Sequence, residues 1–159
     1  MTKAEQFSPE ERAAMKDRAR ELKAQTQGAD GEAAALAKIA QMPAAEQVLA
    51  AGFHELVKDV APQLTVKTWY GMPAYATPGK QGKVMCFFQS GAKMQTRYCT
   101  VGFSDAAHLD DTALWATTFA VIAWNEASQS KLRALLRQAV GEGPPQPATD
   151  AGQTTEGAG

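Results

Sequence analysis

The sequence predicts an α+β domain: a two-layer sandwich in which an antiparallel sheet of about five strands carries helices on one face, preceded by an N-terminal helical extension. Three observations lead there. From Leu64 to Phe103 the chain is rich in Val, Thr, Phe, Tyr and Trp, and Gly- and Pro-bearing turns cut it into short runs. Segments with apolar residues at helical spacing bound that block, Val48, Leu49, Phe53, Leu56 and Val57 before it and Leu132, Leu135, Leu136 and Val140 after it. At 159 residues, 45% hydrophobic and 21% charged, the chain has the size and make-up of one ordinary globular domain. Residues 1–42 are assigned to the extension, 43–141 to the α+β domain and 142–159 to a disordered tail.

Ser8-Pro9-Glu10-Glu11 starts the first helix. Ser8 supplies the cap, Pro9 suits the first helical position, and Glu11 completes a capping box. This helix is expected to reach about Gln25 with a thin apolar stripe of Met15 and Leu22, and to break at Gln27-Gly28-Ala29-Asp30-Gly31. A second helix should run from Glu32 to about Gln41 with Leu36 and Ile39 inward. The third, from Pro43 to about Val60, has the richest apolar face of the N-terminal half and should lie on the sheet. Strands are expected at Leu64–Trp69, Ala74–Ala76, Lys83–Phe88 and Arg97–Gly102, with turns at Pro78-Gly79-Lys80-Gln81-Gly82 and Gln89-Ser90-Gly91-Ala92. Ser104 and Asp105 can start a short helix to about Leu109, Thr117 to Trp124 is the last strand, and Ala127 to Val140 is the last helix. Beyond Gly141 the chain is Gly, Pro, Thr, Ala and Gln without apolar periodicity.

Net charge is −1, so neither a nucleic acid nor a membrane is expected as partner. No apolar run approaches the roughly 18 residues of a membrane span, and Met1 to Gln6 lack the apolar stretch of a secretory signal. Cys86 and Cys99 are read as buried free thiols, which sets the expected location as cytoplasmic. Charge is unevenly spread. Between Gln63 and Ser104 lie Lys67, Lys80, Lys83, Lys93 and Arg97, without a single Asp or Glu. Either this region carries a mild positive potential or its lysines discourage edge pairing.

The candidate binding set centres on Trp69-Tyr70-Gly71-Met72-Pro73-Ala74-Tyr75, where Gly71 and Pro73 make a rigid bend. Trp69, Tyr70, Met72 and Tyr75, with Lys83 and Arg97, can line a pocket that is apolar inside and basic at its mouth, which suits a small organic anion. The competing reading makes Trp69 and Met72 core residues covered by Tyr70 and Tyr75. Single-stranded nucleic acid stacked on the same rings is a third reading, for which the cations are few. One metal-like cluster is visible: on a continuous helix Asp105, His108 and Asp111 would share a face, although capping alone accounts for each acid. His54 beside Phe53 reads as a packing residue. There is no phosphate loop, H-E-x-x-H or C-x-x-C, so no catalytic residue is assigned and an enzyme is not expected.

Taken together, Trp69 to Tyr75, the Gly-Lys turn into Val84-Met85-Cys86-Phe87-Phe88, and a C-terminal strand followed by an amphipathic helix resemble the YdhG-like family of domains of unknown function. That family lies within the YjbR/CyaY-like superfamily, which includes the bacterial frataxins. The resemblance spans about Ala44 to Val140 and implies the order helix, three strands, helix, two strands, helix. It also implies an alternative function, frataxin-like iron binding and delivery. Frataxins present a row of Asp and Glu on the first core helix, whereas here that helix carries Glu46, Glu55 and Asp59. The expected function is therefore non-enzymatic binding of a small anionic ligand or a partner protein through the aromatic cleft, with iron chaperoning as the alternative.

Overall fold

The structure, a computed structural model, describes residues 8–141; for residue 14 and residues 16–28 it describes the backbone alone. The expected disordered tail lies outside the described residues. The capping box at Ser8 forms, with Glu11 N donating to Ser8 Oγ at 3.0 Å and Ser8 N to Glu11 Oε1 at 2.8 Å. The break at Gln27–Gly31 does not. Pro9–Ala40 is one 32-residue helix, α1. A helical glycine costs about 1 kcal/mol against alanine, a cost that flanking helix formers such as Ala33, Ala34, Ala35 and Ala37 absorb. Gly31 is also buried, where a missing side chain allows close approach. The last turns of α1 place Ala35 and Ile39 in the core, while Leu36, expected inward, is exposed.

α2 (Ala44–Val60) follows after Pro43 and buries Leu49, Ala50, Phe53, His54, Leu56, Val57 and Val60. Its apolar stripe is rotated from the expected one, leaving Val48 exposed and taking in His54. Gln47 Nε2 reaches back to the oxygens of Ala40 (3.2 Å) and Met42 (2.9 Å), so the carbonyls ending α1 are satisfied by a side chain of α2.

Five strands form one antiparallel sheet in sequence order: β1 (Thr65–Trp69), β2 (Met72–Ala76), β3 (Val84–Gln89), β4 (Cys99–Phe103) and β5 (Thr118–Val121). A four-residue helix, α3 (Gly91–Met94), replaces the expected plain loop between β3 and β4. α4 (Glu126–Ala139) closes the domain from an Asn125–Ser128 capping box. From α2 onward the order is helix, three strands, helix, two strands, helix. The short helix expected from Ser104 to Leu109 is absent. There Ser104 Oγ donates across the sheet to Val84 O and accepts from Ala106 N, and His108 N donates to Ala139 O, so the segment turns instead of coiling.

Register decides which side chains meet the helices. Val66, Tyr75, Cys86 and Phe103 pair across neighbouring strands and so share one face, as do Phe88, Val101 and Phe119. With Leu49, Phe53, Leu56 and Val57 of α2 and Leu132 and Leu136 of α4 they form the core. Lys67, Ala74, Phe87, Gly102 and Thr118 pair on the other face and contribute nothing to that cluster.

Candidate functional site

Two short elements frame the site. Trp69 pairs with Met72, so the hairpin between β1 and β2 turns on Tyr70 and Gly71 alone. Both have positive φ, 51° and 77°, the signature of a two-residue turn whose twist matches its strands. Glycine takes that angle freely; Tyr70 takes it at the exposed tip. The second element is α3. Ser90 caps it, accepting from Lys93 N at 3.1 Å, and Glu46 of α2 accepts from Ser90 Oγ at 2.5 Å and from Ala92 N at 2.9 Å. One carboxylate thus fastens α3 to α2 with two charge-assisted bonds.

Between the end of α1, this hairpin turn and α3 lies a groove of about 430 Å³. Met42, Pro43, Met72, Pro73 and Phe88 supply its apolar walls, and Lys38, Gln41, Ser90 and Lys93 its polar ones. Among the described residues no acid lines it. The Lys93 ammonium is folded over the turn, close enough that a methyl group on Gly71 would meet Nζ at 2.8 Å. Neither Lys38 nor Lys93 forms an ion pair among the described residues. The Glu46 carboxylate, bonded to two residues of the lining, is engaged by Ser90 and Ala92.

The six residues expected to bind ligand are not brought together. Met72 lines the groove. Trp69 packs edge-on against Tyr70 with ring centroids 5.0 Å apart and lies 5.4 Å from Phe87, on the side of the sheet away from the core. The ring of Phe87 lies flat over Gly102, where a β-carbon would meet it at 2.2 Å. Lys83 is exposed at the start of β3, its N–H donating to Thr77 Oγ1, and Arg97 stacks over the Tyr98 ring at 5.4 Å. Tyr75 is corrected outright: it is 0% exposed and belongs to the core, because a two-residue turn pairs it with Val66, whose side chain faces the helices. The groove's own residues Lys38, Gln41 and Met42 escaped the sequence reading because they belong to the segment assigned as extension. Of the groove's two lysines, Lys93 alone carried a signal, as one of the cations in the acid-free stretch.

A buried polar relay accounts for Tyr75. Its hydroxyl lies 3.0 Å from His54 Nδ1, His54 Nε2 lies 2.8 Å from Glu32 Oε2, and Lys58 Nζ donates to the same oxygen at 2.7 Å. The Lys58 ammonium, then the His54 ring, hold the Glu32 carboxyl below its usual value. Ionised, Glu32 only accepts, so Nε2 carries a ring hydrogen toward it, and the Tyr75 hydroxyl is the partner of Nδ1. Burial pushes the Tyr75 hydroxyl well above its ordinary range, so it stays a donor. A histidine between an acid and a hydroxyl is a catalytic arrangement only if substrate can reach it. Here His54 is 2% exposed and Tyr75 fully buried, and the surface hollow beside Glu32 and Lys58 does not include His54. The relay joins α1, α2 and β2.

Asp105 sits on a turn and His108 and Asp111 on irregular chain, not on one helical face, and among the described residues no group of three or more His, Cys, Asp or Glu can hold a metal ion. Cys86 and Cys99 are free and buried, and burial raises both thiols above their ordinary range. No described helix is long and apolar enough to cross a membrane. No family model, curated protein or solved structure matches the chain.

Proposed function

We propose that this chain is a non-enzymatic binding domain for a small amphipathic anion, held in the groove between the end of α1, the β1–β2 turn and α3. The observation that carries the proposal is the pair of ammonium groups, Lys38 and Lys93, without carboxylate partners among the described residues, at an apolar groove that no acid lines. A volume of about 430 Å³ is in the range of small-molecule sites. The matching ligand has a carboxylate, sulfonate or phosphate head for the lysines and a compact apolar body for Met42, Met72, Pro73 and Phe88. Among the described lining residues there is no His, Asp, Glu or Cys, and the Ser90 hydroxyl is engaged by Glu46 and Lys93 N. The YdhG-like resemblance is part of the same proposal, supported by the element order from α2 to α4.

Titration with anilinonaphthalene sulfonate, an aromatic body bearing one anionic head, tests it by fluorescence. The Lys38→Gln, Lys93→Gln double variant should bind the dye about tenfold more weakly, the equivalent of about 1.4 kcal/mol. The apolar walls remain, so a variant that binds as tightly as the parent chain shows the dye to be elsewhere and overturns the proposal.

A further inference from the structure

The aromatic rings that the groove does not use form a row on the face of the sheet away from the core. Tyr70 and Trp69 have ring centroids 5.0 Å apart, and Trp69 and Phe87 5.4 Å. Trp69 belongs to β1 and Phe87 to β3, so their rings meet across β2, where Ala74 pairs with Phe87 and has no bulk to hold them apart. Gly102 of β4 does the same on the other side, with the Phe87 ring over it. Trp69 and Phe87 stay partly exposed and outside the core cluster. Tyr70 is 82% exposed at a φ of 51°, an angle that bulky side chains rarely adopt. Burial does not compensate that strain, and uncompensated strain gathers where a ligand is held.

Charge on this face is one-sided. None of the five strands carries an Asp or Glu. The described acids belong to helices, as Glu46, Glu55 and Asp59 do, or to the β4–β5 connection, which leaves the sheet at the end opposite Trp69. The net charge of −1 thus averages over two unlike layers. Lys67 shares the ring face by register, since it pairs with Ala74. Arg97, stacked on the Tyr98 ring at 5.4 Å, stands where β4 begins, at the same end of the sheet as Trp69.

We propose that this face binds single-stranded nucleic acid, with bases stacked on Tyr70, Trp69 and Phe87 and phosphates against Lys67 and Arg97. An antiparallel sheet with aromatic side chains on its open face is a platform for unpaired bases, and such stacking tolerates any sequence. The rings supply most of the attraction, because two cations release few counterions. A duplex keeps its bases stacked inside and offers the rings nothing. None of the three rings lines the lysine groove, so the two sites are separable.

Fluorescence anisotropy of a labelled oligodeoxythymidylate of about ten nucleotides, titrated with the full chain in about 20 mM salt, tests this. The parent chain should bind the probe with a dissociation constant below about 100 µM, and log K should fall against log salt with a slope of about −1.4, the value for two phosphates of a single strand. Trp69→Thr and Phe87→Thr keep strand formers at positions outside the core. Their far-ultraviolet spectra should therefore hold while binding weakens about fivefold or more. Tyr70→Asn keeps a residue that tolerates positive φ at the exposed tip and should weaken binding likewise. A parent chain that does not bind the probe overturns the proposal. So do ring variants that bind as the parent does, because the polyanion then sits on lysines alone. A duplex of equal length that binds as tightly as the single strand overturns it too.

Discussion

Tyr75 and Gly71, four residues apart, show how much of a residue's role comes from its neighbours. The Gly71 turn was legible because its cause is local: glycine takes the positive φ of a tight turn at no steric cost. The burial of Tyr75 was not, since its partners His54 and Glu32 lie far back in the chain and its face is set by pairing with Val66. Removing the Tyr75 hydroxyl leaves His54 Nδ1 buried without its hydrogen-bond partner. Tyr75→Phe should therefore cost about 1–3 kcal/mol in urea unfolding; a variant as stable as the parent would show the relay to be slack. Gly71→Ala forces a positive φ on alanine and should cost about 1 kcal/mol. It also pushes the Lys93 ammonium off the turn, so dye binding should weaken with it, and an unchanged affinity would separate Lys93 from the site.

Among the elements, α2, α4 and the strands were expected from the sequence, whereas the continuity of α1 and the existence of α3 were not. α2 and α4 each bury an apolar stripe that repeats at helical spacing, and the strands stand out as short runs rich in β-branched and aromatic residues. The capping box at Ser8 was equally plain. α1 ran through Gly28 and Gly31 because a glycine weakens a helix without blocking it, and the core contacts of Ala35 and Ile39 outweigh the loss. α3 left no trace in periodicity, having only four residues, and its anchor Glu46 lies on another helix. That anchor is testable. Glu46→Ala removes the acceptor of Ser90 Oγ and Ala92 N, and amide exchange at Ala92, Lys93 and Met94 should accelerate without loss of the sheet's protection. Exchange at parent rates would mean that the Ser90 cap alone holds α3.

For the whole molecule, the two-layer architecture was readable because a strand block between amphipathic helices has few ways to bury its faces. The groove was not, because it is assembled from three element ends, each ordinary by itself. The relay contributes a pH dependence to the whole fold. Glu32 is held below its ordinary value of 4.5, so the ionised form favours the folded state. That contribution is complete above the unfolded value and fades as pH falls through the lowered one. Glu32→Gln should flatten the acid limb of the stability curve below about pH 4.5, whereas an acid limb of parental slope would place the sensitive carboxylates elsewhere.

The central claim concerns where an anion binds, and amide chemical shifts report that residue by residue. Titrating the isotopically labelled chain with anilinonaphthalene sulfonate should move the amides of Gln41, Gly71, Met72, Ser90, Ala92 and Lys93 together along one saturable curve. Shifts centred instead on Trp69, Phe87 and Gly102, across the sheet from the core, would contradict the account and return the site to the aromatic rings.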